Sequence, residues 1–458
     1  MPRSLIIKTR QHLSLVRNNK FIRNAGLLVG GTAFAQALMI AILPILTRLY
    51  SPEDFTVLAI YVSVLGIFSS IACMRLDIAI PIPDDDDEAT SLLVLSLISA
   101  TSLAAITLIL ICFWPNELAA LSGQPKIESY LWLLPLGIWF SGTYSALQFW
   151  ATRKKKFIDI TKTRFSQAIS SSCVQLGFGW AGITPLGLLL GQLINSGAGA
   201  IGLAFKTINE SAHLYSRIKP NHILYTLRKY DHFPKYSTLE ALANSGSIQL
   251  PILIIAAIAA GPEAGFLVLA TRIMAAPMGL IGGAVAQVYI SQAPEEMRHE
   301  RLGSFTASII GGLFKSGAGP LIFAGIIAPT VFPLVFGADW TRTGVIISWM
   351  TPWFLMQFIS SPVSMILHLT NNQKAALLLQ ITGLIIRVGS LLVAALFFNS
   401  SLTELYALSG FIFYTAYMGA IIWFGKIQTK DLAKALSSGW SYILIWTLLA
   451  IATNYALK

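Results

Sequence analysis

The sequence has 458 residues, 55% of them hydrophobic and only 12% charged. Soluble domains carry about 25% charged residues, and the two or three domains expected at this length could not be covered by so few. That excludes an ordinary soluble chain and makes lipid the expected solvent. The net charge of +11 sits between apolar runs, a pattern of membrane orientation rather than of nucleic-acid contact.

About 20 apolar residues cross a bilayer. A basic cytoplasmic segment, 1–23, carries Arg3, Lys8, Arg10, Arg17, Lys20 and Arg23 ahead of a first span at 24–46. That run is too long for a signal peptide and is taken as a retained helix. Spans at 55–80, 90–114, 129–150, 165–182 and 184–205 complete an N-terminal six-helix lobe, 24–205. A basic cytoplasmic linker, 206–233, leads to a second six-helix lobe, 234–424, with spans at 234–260, 263–290, 304–328, 343–367, 375–398 and 403–424. The remainder, 425–458, holds a cytoplasmic loop and a thirteenth span at 438–456. The expected fold class is thus an all-α, polytopic bundle of twelve or thirteen membrane helices. Cys73, Cys112 and Cys173 all fall in apolar runs without metal-site spacing and are expected to be small core hydrophobes.

With the N-terminus in the cytoplasm, strict alternation places twenty-four Lys and Arg residues inside and four outside, namely Arg48, Lys126, Arg342 and Lys458. Six of those inside lie in 151–164. So lopsided a count supports both the orientation and the number of spans. The joins Ser51-Pro52-Glu53-Asp54-Phe55 and Gly261-Pro262-Glu263-Ala264-Gly265-Phe266 resemble each other. Both sit outside after an odd-numbered span. They suggest two parallel halves with a path between them.

Nothing in the sequence offers a nucleotide cradle, a metal-binding HExxH or a GxSxG nucleophile. No cofactor, metal or catalytic residue is expected. Charge within the spans says more. A helix rises about 1.5 Å per residue, so Arg272, nine residues past Glu263, lies about 13 Å deep. Lys315 and Arg387 are also near mid-depth, whereas Asp77 and Glu240 lie toward the cytoplasmic side. A charge at a helix centre costs about 2.5–3.5 kcal/mol. Three deep cations without an acid at their level point either to carbonyl and water partners or to an anionic ligand. Arg75 with Asp77 is an interfacial ion pair or part of an inner gate. The acidic run Asp84–Glu88 is a solvated turn, or a bridge to the basic loop 151–164. Pro44, Pro251, Pro277 and Pro352 are expected to kink helices.

Two stretches resemble the Wzx-type oligosaccharide-lipid flippases, of the superfamily that also contains the multidrug MATE exporters. One runs Thr47-Arg48-Leu49-Tyr50-Ser51-Pro52-Glu53-Asp54-Phe55 and continues through Arg75-Leu76-Asp77 to Pro81-Ile82-Pro83. The other runs from Phe233-Pro234-Lys235-Tyr236-Ser237 through Gln249-Leu250-Pro251, Thr271-Arg272-Ile273 and Ala276-Pro277 to Gln287-Val288-Tyr289. The resemblance implies two pseudo-repeated, MATE-like six-helix lobes around a cationic lumen with alternating access. It implies a polyprenyl-diphosphate-linked oligosaccharide as cargo in a bacterial inner membrane, for O-antigen or other surface polysaccharide. Arg272, Arg387 and Lys315 are then candidate substrate-binding residues. Arg48, Arg75, Asp77 and Glu240 are candidates for gating or coupling. Expected partners are the lipid-linked glycan, membrane lipids, and a polysaccharide polymerase with its chain-length regulator; nucleic acid is not one.

Competing readings are a MATE-type cation antiporter, a membrane glycan polymerase or ligase, and a structural scaffold. An antiporter should place carboxylates within the membrane, a polymerase should present a large outside domain, and a scaffold has no use for deep cations. If the topology holds, a cysteine introduced as Lys155→Cys in a cysteine-free background is labelled by an impermeant reagent only after the membrane is opened. Labelling in intact cells would reverse the orientation.

Overall fold

A computed structural model describes residues 20–215, 220–259, 261–370, 372–397 and 401–457. Most of the basic N-terminal segment, part of the linker, and Lys458 lie outside the described residues. Each apolar stretch read from the sequence carries helix, and no strand occurs among the described residues. Eight of these helical runs are long and apolar enough to cross a membrane by length and composition alone. Hydrogen-bonded helices are the expected result, since hydrocarbon offers no partner to a free peptide group.

In the N-terminal half the chain forms α1 (Lys20–Ala41), α2 (Leu43–Leu49), α3 (Pro52–Ile71) and α4 (Asp86–Phe113). These are followed by α5 (Pro115–Leu121), α6 (Leu133–Arg153), α7 (Phe157–Trp180), α8 (Leu186–Gly197) and α9 (Gly199–Tyr215). Local chemistry fixes several boundaries. Pro44 opens α2 just after the break in the first span. The Ser51 side chain accepts from the Asp54 amide while Asp54 accepts from the Ser51 amide, a reciprocal cap that starts α3 with Pro52 in its first turn. Asp85 caps α4, whose first turn holds Asp86, Asp87 and Glu88 at the positive end of the helix dipole.

The linker contributes α10 (Pro220–Lys229). The C-terminal half contains α11 (Thr238–Ile258), α12 (Glu263–Met274), α13 (Gly283–Arg298), α14 (Leu302–Leu313) and α15 (Gly319–Phe336). It continues with α16 (Thr341–Ser360), α17 (Ile366–Leu369), α18 (Gln373–Phe397), α19 (Leu402–Phe424), α20 (Thr429–Ser437) and α21 (Trp440–Leu457). Three widened π turns interrupt this half, at Phe233–Ser237, Met278–Gly282 and Phe314–Ala318. Each has a proline inside it or within two residues, at Pro234, Pro277 and Pro320. A proline removes a backbone donor and bends the helix, and kinks of this kind accompany widened turns. Pro251 and Pro352 sit inside α11 and α16. The thirteenth stretch, α21, lies along α15, where Trp446 meets Phe323 edge-on at 5.4 Å and Thr330 donates to Asn454 at 2.5 Å.

Two expectations need correction. The second span was expected to run to residue 80, but α3 ends at Ile71. Met74 and Arg75 take positive φ values of 48° and 59°, and Asp77–Ala79 forms a short 3-10 turn. Hydropathy registers the apolar run but not this left-handed backbone. The cysteines also divide. Cys73 is buried and donates to the Gly142 carbonyl at 3.2 Å, while Cys112 and Cys173 are exposed on the bundle surface. An apolar run cannot separate core from surface when the surface faces lipid.

The halves meet along α3, which packs against α11 and α12. The two similar joins lie against each other at the end assigned to the outside. The Gly265 amide donates to Thr56 Oγ1 at 3.0 Å, and a Cβ on Gly265 would come within 2.2 Å of the Pro52 carbonyl oxygen. Trp340 closes the same seam. It is 1% exposed, donates its indole N–H to the Thr47 carbonyl at 2.9 Å, and meets the rings of Phe55 and Phe266 edge-on. Gly265→Ala should therefore lower stability by about 1–3 kcal/mol, seen as a lower melting temperature of the purified protein. Gly312→Ala, with no atom within 4 Å of the new methyl, is the control. Equal melting of the two variants would refute the close seam.

Candidate functional site

Below that seam a cavity of about 450 Å³ lies between the halves. The N-terminal half contributes Gln36, Val62, Arg164, Gln167, Gln192 and Asn195, among others; the C-terminal half contributes Arg272, Ala275 and Ala276. Arg272 is carried on the last turn of α12, just before the π turn that follows Pro277. Its Nη2 donates across the halves to Gln192 Oε1 at 3.2 Å. Arg164, on α7, donates from Nη2 to Gln148 Oε1 at 2.9 Å and lies 5.9 Å from the centre of the Tyr144 ring. Each guanidinium is thus oriented by a neutral amide, and no carboxylate lines the cavity. Gln167 is 4% exposed, and its amide nitrogen has no acceptor. Two guanidiniums beside amide donors, with no carboxylate among them, make a donor set whose chemistry suits an anion.

The sequence-predicted residues do not all gather there. Arg272 lines the cavity. Arg387 does not: it is 5% exposed and occupies a second cavity of about 210 Å³ formed by residues of the C-terminal half alone. Lys315 is exposed, within the π turn after α14, with its ammonium 4.7 Å from the centre of the Tyr442 ring on α21. Hydropathy carried no information on which way each of these cations faces. Arg164 was missed as a site residue because it was counted with the basic loop 151–164. Its place at the start of an apolar helix was the available signal.

Among the gate candidates, Arg48 and Glu240 are exposed. Asp77 is 5% exposed and accepts from Ser145 Oγ at 2.5 Å. Arg75 is half-buried, and its Nε has no acceptor. No ion pair joins Arg75 to Asp77 among the described residues. The acidic turn does bridge to basic residues. Asp86 pairs with Arg153 at 2.9 Å and Lys154 at 2.6 Å, and Glu88 pairs with Lys229 of α10 at 2.6 Å. The bridge to Arg153 and Lys154 lies within the N-terminal half, not across the two halves.

At the opposite end Arg342 joins three helices. It pairs with Glu263 at 2.7 Å and Glu404 at 2.6 Å and donates to Thr403 at 3.1 Å. Burial works against its charge, but the hydrogen bonds to the two glutamates prevail and hold its pKa above the ordinary arginine value. Nearby, Tyr50 donates to the Gln175 carbonyl at 2.6 Å; burial, helped by the Asp54 charge, pushes its hydroxyl up to about 12.

A family model described as polysaccharide biosynthesis protein matches residues 45–344. The chain belongs to that family. Comparison with curated proteins gives no match. Among solved structures the fold is similar to that of the lipid II flippase MurJ in an inward closed conformation. The TM-score is 0.69 at 14% identity, covering 94% of this chain and 96% of that one. It is also similar to an inward-facing multidrug resistance MATE family transporter, with TM-score 0.58, 14% identity, and 96% and 99% coverage. A eukaryotic MATE transporter follows at 0.53, again 14% identical, covering 92% and 100%. The chain is thus a polysaccharide biosynthesis protein of MATE-like fold, built from helices long and apolar enough to make it a multi-pass membrane protein.

The neutral orientation of Arg272 is testable. Gln192→Glu places a carboxylate against the guanidinium and should weaken binding of inorganic pyrophosphate by about tenfold or more. Gln192→Met should weaken it less. Calorimetric titration of the purified protein reads both, and a Glu variant that binds as the wild type does would remove Arg272 from the anion site.

Proposed function

We propose that this protein moves a polyprenyl-diphosphate-linked oligosaccharide outward across a bacterial inner membrane by alternating access. Its N-terminus is then cytoplasmic, and the two lobes are 24–205 and 234–424. The observation that carries this reading is the cavity between the halves, where Arg164 and Arg272 approach from opposite halves and no acid lines the wall. A diphosphate offers one anionic group to each arginine. The polyprenyl tail gains little from protein, because lipid already solvates it; the polar headgroup is the part that needs a path. A cation antiporter would place carboxylates where these arginines stand. Arg272 and Arg164 are therefore assigned to the diphosphate. Arg75 with Asp77, Arg48 and Glu240 remain candidates for gating or coupling, and a polymerase with its chain-length regulator would receive the product.

An inside-negative potential drives an anionic headgroup outward. At about 2.3 kcal/mol per charge per 100 mV, two charges crossing the full field gain roughly 5 kcal/mol. The unloaded cationic cavity is drawn back inward by the same field. Transport of lipid-linked glycan in vesicles, with an imposed potential and no ion gradient, tests both parts. Arg272→Ala should slow transport by about tenfold or more. Normal transport by that variant would remove the site. Wild-type transport indifferent to the potential would remove the driving force and leave the site standing.

A further inference from the structure

Arg387 is the most deeply buried cation described in the protein, at 5% exposure, and its cavity has no part in the path proposed above. It projects from α18 into a space shared with α11 and α19. Its Nη1 reaches the Ser247 carbonyl at 3.3 Å, a long contact, and its Nε has no acceptor. Its guanidinium carbon lies 4.7 Å from the centre of the Phe413 ring and 5.7 Å from those of Trp353 and Tyr414. Ring faces attract a cation but do not cancel its charge. No carboxylate lines the cavity, and Arg387 takes part in no ion pair among the described residues. Glu240, one turn before Asn244 on α11, is exposed.

The rest of the lining is rich in donors. Ser361, Ser364, Tyr414 and Tyr417 bring hydroxyls, and Asn244 and Gln380 bring amides, while the Ser247 hydroxyl is committed to the Asn244 carbonyl at 2.8 Å. A buried, uncompensated charge costs several kcal/mol, and the group that best removes that cost here is a small anion. We propose that this cavity is a binding site for a monovalent inorganic anion such as chloride, held by Arg387 and the surrounding hydroxyl and amide donors. The volume of about 210 Å³ takes such an ion with a few waters, each of which occupies about 30 Å³; it does not take a glycan headgroup.

The site adjoins the interface between the halves. Ser247, whose carbonyl accepts from Arg387, stands on α11 between Ser245 and Gln249. Ser245 donates to the Gly66 carbonyl of α3 at 3.0 Å, and the Gln249 side chain packs over Gly66. Filling the site fixes the face of α11 that the C-terminal half presents to the N-terminal half. Anion binding therefore stabilises the packed pair.

The test is the melting temperature of the purified full chain in nanodiscs, and the linewidth of the chloride-35 NMR signal. Both are followed as chloride replaces gluconate at constant ionic strength. The wild type should melt higher as chloride rises, with a saturable, bromide-competed broadening of the chloride signal. Arg387→Gln should lose both responses, and Gln380→Leu, which keeps the arginine, should shift the half-saturation by about tenfold. Arg272→Gln should keep both responses. If Arg387→Gln does not fold, Gln380→Leu decides: unchanged half-saturation overturns the assignment. A wild type indifferent to chloride overturns it, as does a response that survives Arg387→Gln or disappears in Arg272→Gln.

Discussion

A charge taken out of water must find a partner, and in a bilayer the nearest water can be 15 Å away. That constraint orders this molecule. At one end of the bundle, Asp86 and Glu88 are matched by Arg153, Lys154 and Lys229. At the opposite end, Glu263 and Glu404 are matched by Arg342. Between these two belts the matching stops. Arg164, Arg272 and Arg387 are held by glutamine, carbonyl and ring faces, which orient a guanidinium without neutralising it. These three arginines line the two cavities, which have no acid in their walls, and those are the places where a ligand changes the energy most.

The seam that closes the outer-assigned end depends on small residues and one large one. Gly265 lets α12 reach the backbone of α3, and Trp340 fills the space beside it with a ring and a single indole donor. Such a contact is dense but polar at few points: the Thr56 hydroxyl, the Thr47 carbonyl and the Gly261 carbonyl, which accepts from Gln124 at 3.4 Å. Separating it exposes few unsatisfied groups. The halves can therefore meet tightly without being locked. By contrast, the Arg342 cluster ties three helices of one half together and travels with that half.

The helical passages were legible because hydropathy responds directly to the solvent. What failed had a common cause: hydropathy is blind to direction. Arg272 and Arg387 looked equivalent by depth, yet one faces the other half and the second faces inward among α11, α18 and α19. Cys112 and Cys173 looked like core because lipid-facing and core-facing residues are alike in polarity. The end of α3 at Ile71 was hidden for a different reason. Residues 78–82 carry no charge, and the left-handed turn through Met74 and Arg75 that follows the helix leaves no mark on hydropathy. Arg164 escaped because neighbouring basic residues made it resemble a topological signal.

The π turn at Met278–Gly282 has a mechanical consequence. It begins six residues after Arg272, directly past Pro277, and Gly279 there lies against Gln36 of α1. A regular helix transmits torque along its axis; a widened turn, with its weaker and misaligned hydrogen bonds, does not. The segment therefore behaves as two stiff rods on a compliant coupling, α12 above and α13 below. The lower rod can swing while the upper rod, and the arginine at its tip, stays in register with Gln192. Grip on the headgroup and opening of the passage are thereby separable motions of one stretch of chain.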